Sequence, residues 1–141
     1  MNRSVSGFEM HQTLKPTVLF YNLVQDDRTR EIENYLTRAG ISYIHVAPPE
    51  YHRQIAALLG LSGADRKRPS TAFPLFREEM LVMAGFTQAQ LNAFLAFFQE
   101  NNVKRVSLKA MLTPTNAFWS GAELVEHLKQ EQAQFAKAAK R

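Results

Sequence analysis

Residues 106–120 constrain the fold most, because a strand, a polar turn and a helix start follow one another there without a break. Apolar and polar or mixed residues alternate across 106–112, which is the period-2 pattern of a strand with one buried face. Pro114 cannot donate a hydrogen bond to a neighbouring strand, so regular pairing should stop at Thr113. The segment therefore predicts a strand that runs directly into a turn.

Ser120 has the chemistry and the position of a helix N-cap. Its hydroxyl oxygen can accept a hydrogen bond from the backbone N–H of Glu123, whose carboxylate can reach back to the cap. Trp119 and Leu124 flank this cap as the apolar pair that often accompanies it. Thr87 is followed by Gln and Leu at the same spacings, so the sequence predicts two helices with well-defined starts.

Three other segments are predicted strands, because they are apolar or alternate between apolar and polar residues: 17–23, 41–46 and 80–83. Helical patterns follow at 28–39, at 51–61, after Thr87 and after Ser120. In the helix after Thr87, the residues with the spacing of a core-facing stripe are Leu91, Phe94, Leu95 and Phe98.

This order of elements fits two architectures. The first is an α+β fold, a ferredoxin-like βαββαβ sheet with an inserted short helix and an appended C-terminal helix. The second is a parallel, doubly wound α/β sheet. Polar residues in 41–46 and 106–112 indicate edge strands, which favours the first. We expect one domain over 16–131, a flexible leader at 1–15 and a polar helical tail at 132–141.

Composition excludes several classes of function. The chain has no cysteine, so it has no disulfide and no cysteine-ligated zinc. No apolar run approaches the roughly 20 residues of a membrane span, so a cytoplasmic protein without a membrane partner is expected. The formal net charge of +4 favours an anionic partner, but its spread along the chain makes nucleic acid an unlikely one.

The sequence contains none of the common motifs for metal binding or nucleophilic catalysis. The four histidines lack the i, i+4 pairing of a zinc site: His11, His45, His52 and His127. The chain also lacks a nucleophile elbow and a glycine-rich phosphate loop. We therefore expect no metal site and no cofactor, and we favour a non-enzymatic role.

The turn after the last predicted strand is the candidate ligand site. Hydroxyl, amide and free N–H groups at a helix start suit a small anion, and an indole can cover an apolar part of it. The predicted site residues are Lys109, Thr113, Thr115, Asn116 and Trp119. The alternative is structural: the polar groups satisfy local backbone, and Lys109 protects a sheet edge.

Two further hypotheses compete with ligand binding. The first is a protein-interaction or regulatory module, acting as a homodimer or on another protein through a sheet edge or face. Phe97 lies off the predicted core stripe and offers extra aromatic surface for such contacts. The second is weak nucleic-acid binding. The polar segment 62–70 is predicted to be a mobile loop able to close over a ligand.

Two motifs carry a resemblance to a known family. They are Glu-Met-Leu-Val-Met-x-Gly-Phe from Glu79 to Phe86, and Leu-Lys-Ala-x-Leu-Thr-Pro-Thr-Asn-x-x-Trp from Leu108 to Trp119. With them, most of the chain over 17–131 resembles a family of small bacterial proteins catalogued as a domain of unknown function. The resemblance implies no particular activity.

Overall fold

The computed structural model describes residues 14–61 and 73–139, with side chains described as far as residue 134. Contacts group these residues into two compact units. The sheet unit comprises 14–46 and 79–112, and the helical unit comprises 47–61, 73–78 and 113–139. The predicted loop at 62–70 and all but the last residues of the predicted leader lie outside the described residues.

The described residues contain four strands and four α-helices. In chain order they are β1 (Thr17–Tyr21), α1 (Asp27–Arg38), β2 (Ser42–His45), α2 (Ile55–Leu58), β3 (Met80–Ala84), α3 (Gln88–Glu100), β4 (Leu108–Met111) and α4 (Gly121–Ala139). Every element predicted from the sequence within the described ranges is present, with ends shifted by a few residues. None of the described helices is both long enough and apolar enough to cross a membrane.

The four strands form one open, mixed sheet in the order β2-β1-β3-β4. β1 is parallel to β2, β3 is parallel to β4, and the central pair β1–β3 is antiparallel. The predicted α+β fold of the ferredoxin-like type is confirmed, and the antiparallel central pair excludes the wholly parallel alternative. The two strands of each βαβ unit, β1 with β2 and β3 with β4, pair directly and in parallel. The sheet is therefore mixed rather than fully antiparallel.

The predicted central and edge positions are also confirmed. All five residues of β1 and all five of β3 are buried, as their apolar sequences require. All four residues of the edge strand β2 are exposed. β1 is antiparallel to β3 and β3 is parallel to β4, so the carboxyl ends of β1 and β4 lie at opposite ends of the sheet.

One face of the sheet carries α1 and α3, and we call it the helix-bearing face. Its core joins residues of both helices to alternate residues of the two central strands: Val18, Phe20, Ile32, Leu36, Leu81, Met83, Phe94, Phe97 and Phe98. The predicted stripe on α3 is partly wrong. Phe97 is only 6% exposed and stacks on Tyr35 at 4.5 Å between ring centroids, whereas Leu95 is 39% exposed.

The helix starts follow the predicted capping chemistry. The Asp26 carboxylate accepts a hydrogen bond from the Thr29 N–H at 2.9 Å and caps α1. At α3 the Gln90 N–H donates to the Thr87 hydroxyl at 3.0 Å, and the Thr87 N–H donates to the Gln90 side-chain oxygen at 2.8 Å. This reciprocal pair is a complete capping box.

The helical unit is held together by backbone hydrogen bonds between its two chain segments. The Ile55 N–H donates to the Trp119 carbonyl at 2.9 Å, and the Ala122 N–H donates to the Tyr51 carbonyl at 3.1 Å. The predicted cap of α4 is confirmed, since the Glu123 N–H donates to the Ser120 hydroxyl at 3.0 Å. These bonds fix the start of α4 beside α2.

Candidate functional site

A cavity of about 710 Å³ lies in the sheet unit beside the last turns of α3. We call it the α3 groove. Its lining combines one helix face, the α3–β4 loop and one residue of the edge strand: Leu95, Phe98, Gln99, Asn102, Val103, Lys104, Arg105 and Lys109. The lining divides into an apolar wall and a cationic rim.

The end of α3 shapes the loop that forms the groove. The Asn101 side-chain amide donates to the Phe97 carbonyl at 3.0 Å, and the Val103 N–H donates to the Phe98 carbonyl at 2.9 Å. Asn102 has a φ of 54°, the left-handed conformation in which Asn often follows a helix. These bonds supply hydrogen-bond donors to carbonyls in the last turn of the helix.

Arg28 of α1 tethers the loop from the other side. Its guanidinium donates to the carbonyl oxygens of Lys104 at 3.5 Å and Arg105 at 3.4 Å, and it also forms an ion pair with Glu79. The Glu79 carboxylate is therefore paired with Arg28. The side chains of Lys104 and Arg105 remain exposed on the groove rim.

Lys109 is the residue of the predicted site that lines the α3 groove. It pairs directly with Leu81 in the β3–β4 register, so its side chain lies on the helix-bearing face. Its ammonium group donates to the Val106 carbonyl at 3.1 Å. Burial, with a further contribution from the positive charge of Arg105, lowers the pKa of Lys109.

The rim has an excess of positive charge. Within residues 14–61 and 73–134, none of the ion pairs found involves Lys104, Arg105 or Lys109. Like charges that lie close together repel one another, and a bound anion relieves that repulsion. The arrangement is chemically suited to an anion.

The apolar wall is a second stripe on α3. Leu95, Phe98 and Gln99 follow one another at i, i+3 and i+4, which places them on one face of the helix, and Asn102 follows just after its end. Phe98 is nearly buried, whereas Leu95 leaves more than a third of its surface open. A ligand in the groove therefore meets hydrocarbon as well as charge.

The turn after β4 holds three of the other predicted residues. The Thr113 N–H donates to the Asn116 side-chain oxygen at 2.9 Å, and the Asn116 N–H donates to the Thr113 hydroxyl at 3.0 Å. Asn116 is buried and Thr115 is exposed. The structure thus brings Thr113 and Asn116 together in a turn whose side-chain oxygens accept from local backbone.

Trp119, the fifth predicted residue, stacks on His127 of α4, with 4.0 Å between ring centroids and 13° between ring planes. The His127 ring nitrogen lies 3.8 Å from the Glu123 carboxylate. The sequence predicted Leu124 as the partner of Trp119, and the stacking on His127 was not predicted. The i, i+4 spacing of Glu123 and His127 was the available signal, because it places both on one face of α4.

Two groove residues, Lys104 and Arg105, were also absent from the predicted site. Their sequence signal was their position between a helix end and the strand that carries Lys109. Among the described residues, no three histidine or acidic side chains cluster closely enough to hold a metal ion. His45 instead lies 2.6 Å from the Glu33 carboxylate of α1.

The fold and the groove define a class: an α+β protein with a mixed four-stranded sheet and a cationic groove beside an edge strand. Residues 79–135 match the model of a family described as Domain of unknown function (DUF3783). The predicted resemblance is confirmed for that segment, which includes the whole α3 groove. No curated protein and no solved structure matches the chain.

Proposed function

We propose that the protein is a non-enzymatic domain that binds a small anion in the α3 groove. The observation that carries the proposal is the juxtaposition of Lys104, Arg105 and Lys109 around one cavity, with no ion pair to a described carboxylate. The nearby Glu79 is occupied by Arg28. An anion is the complement that the rim lacks.

The half-buried Lys109 is the central cation of the proposal. Its desolvation disfavours the charged form, so an anion beside the ammonium group restores a partner that water no longer fully supplies. Lys104 and Arg105 are exposed, and exposed ion pairs contribute only about 0–1 kcal/mol each. We therefore expect weak, salt-dependent binding of a simple anion.

The test is a titration with inorganic phosphate followed by amide NMR shifts. We expect shifts concentrated in residues 95–109 and at least about 5-fold weaker binding for Lys109→Met, within the usual range of one lost hydrogen bond to a charged group. Arg105→Gln removes an exposed cation, so it should weaken binding by at most about 5-fold. Arg38→Gln is the matched control, because Arg38 is an exposed cation outside the groove. Absence of binding, or equal weakening by the control, would refute the proposal.

The corner formed by Thr113, Thr115, Asn116 and Trp119 is tested in the same titration. Trp119 is the single tryptophan of the chain, so indole emission reports on the corner. An emission change that saturates with phosphate would indicate that the corner residues respond to the ligand as well. Groove shifts without an emission change restrict the ligand to the α3 groove and assign the corner groups to their local turn.

The β2 edge supports a second candidate function, a protein-interaction or homodimer surface. β2 is an edge strand whose four residues are all exposed, and Tyr43 and Ile44 are large apolar members of it. Edge strands of this kind add strands from other chains. Sedimentation at micromolar concentration tests this: a dimer that Ile44→Lys disrupts supports the surface, and a monomer throughout removes it. We also propose that the protein acts in the cytoplasm, as expected from the sequence.

A further inference from the structure

We infer that the anion bound in the α3 groove carries an apolar body, as in an aromatic or branched carboxylate or phosphate monoester. This inference rests on the proposed function and specifies its ligand. The observation behind it is the mixed lining, which combines the apolar side chains of Leu95, Phe98 and Val103 with three cations in one cavity.

The size of the groove is the first argument. Its volume of about 710 Å³ lies within the range of about 300–1,000 Å³ that is usual for sites of drug-sized ligands. A water molecule occupies about 30 Å³ of the liquid, and a tetrahedral anion displaces only a few such volumes. A bare inorganic anion would leave most of the groove hydrated.

The exposure of Leu95 is the second argument. α3 buries Phe94, Phe97 and Phe98, yet Leu95 keeps 39% of its surface accessible on the groove side. A single exposed leucine is common on a protein surface, but this one lies in a concave wall together with Phe98 and Val103. A hydrocarbon group seated there would cover apolar surface that the chain itself leaves open.

The placement of the charges fixes the orientation. Lys109 and Arg105 both line the groove, and the charge of Arg105 adds to burial in lowering the pKa of Lys109. The anionic group would lie beside them, and the apolar body would extend along α3 towards Leu95. The exposed amides of Gln99 and Asn102 offer hydrogen bonds to a polar substituent on the body.

The test compares matched ligands: inorganic phosphate with phenyl phosphate, and acetate with phenylacetate. For the natural chain we expect each phenyl ligand to bind at least about 10-fold more tightly than its simple counterpart, the lower end of what an added apolar group contributes in a pocket. Leu95→Ser is expected to bring that ratio towards one. Val24→Ser is the control, because Val24 is an apolar residue outside the groove that is even more open, at 63% exposed against 39% for Leu95.

The outcomes separate the two proposals. If inorganic and phenyl phosphate bind equally well and Lys109→Met weakens both, the small-anion function stands and the apolar body is refuted. A phenyl advantage that survives Leu95→Ser also refutes it, provided that thermal unfolding shows the variant to be folded. If neither ligand class binds, both proposals fail. A preference for the phosphate or the carboxylate pair identifies the headgroup.

Discussion

Lys109 occupies a position on the helix-bearing face where an apolar residue would ordinarily continue the core. It is the neighbour of Leu81 in the sheet register, and its pKa is lowered by burial and by Arg105. A cation retained at such a position costs stability, because charged groups lose hydration there. In the proposed complex, a bound anion would offset the lost hydration of the ammonium group.

This cost gives a pH dependence with a definite sign. Between the lowered pKa of folded Lys109 and the ordinary lysine value of about 10.4, the folded chain binds fewer protons than the unfolded chain. The Lys109 contribution to the free energy of unfolding should therefore rise with pH across that window. In urea titrations we expect Lys109→Met to be more stable than the natural chain, and this excess in the free energy of unfolding to shrink as the pH rises towards the ordinary lysine pKa. An excess that stays constant over that range would contradict this.

Gly85 shows how a single residue limits the backbone at the end of β3. Its φ is +75°, and an added Cβ would lie 2.8 Å from the Leu14 carbonyl oxygen. Gly40 has nearly the same φ, +76°, with no atom within 4 Å of its Cβ position. Gly40→Ala carries only the left-handed strain of about 1–2 kcal/mol, whereas Gly85→Ala should cost clearly more. Equal losses in urea denaturation would show that the contact relaxes freely.

At the scale of elements, the capping box of α3 is the clearest local determinant. Thr87→Ala removes the acceptor of the Gln90 N–H and should lower the free energy of unfolding by about 0.5–2 kcal/mol. Thr37→Ala makes the same chemical change at an exposed helical position. There the higher helix propensity of Ala should make it neutral or slightly stabilising. A loss of similar size at both positions would argue against the cap.

The predictability of the elements follows the range of the interactions that specify them. Strand character and the N-caps Thr87 and Ser120 depend on neighbours within a few residues and were predicted correctly. The stacking of Trp119 on His127 was not predicted. One residue of the α3 stripe was predicted wrongly: Phe97 is buried instead of Leu95, because the ring of Tyr35 on another helix covers Phe97. Direct pairing of β1 with β2 was likewise not predictable, since it depends on contacts across the sheet.

The candidate site was predicted only in part for the same reason. Lys109 was predicted as a member of the site at the turn after the last strand, but the groove that it lines exists because α3, its following loop and β4 converge. The tether from Arg28 joins residues 76 and 77 positions apart, a pairing that no local pattern reveals. The corner turn, by contrast, could be predicted from the sequence, because its hydrogen bonds join Thr113 and Asn116, which are only three residues apart.

At the scale of the whole molecule, a formal net charge of +4 attracts anions irrespective of any site. The general field and the local contact respond differently to salt. Raising the ionic strength from about 0.01 M to about 0.15 M shortens the Debye length from about 30 Å to about 8 Å, which screens distant charges while leaving contacts in partly buried sites largely intact.

Arg38→Gln and Lys109→Met each remove one positive charge from the same chain, so they separate the two effects. If the groove binds the anion, Arg38→Gln should weaken phosphate binding slightly at low ionic strength and not at all at about 0.15 M, where its field is screened. Lys109→Met should weaken binding at both, because the ammonium group touches the ligand. Calorimetric titration of both variants at the two salt concentrations measures this. If the two variants converge at high salt, the attraction belongs to the molecule as a whole and the α3 groove is not a binding site.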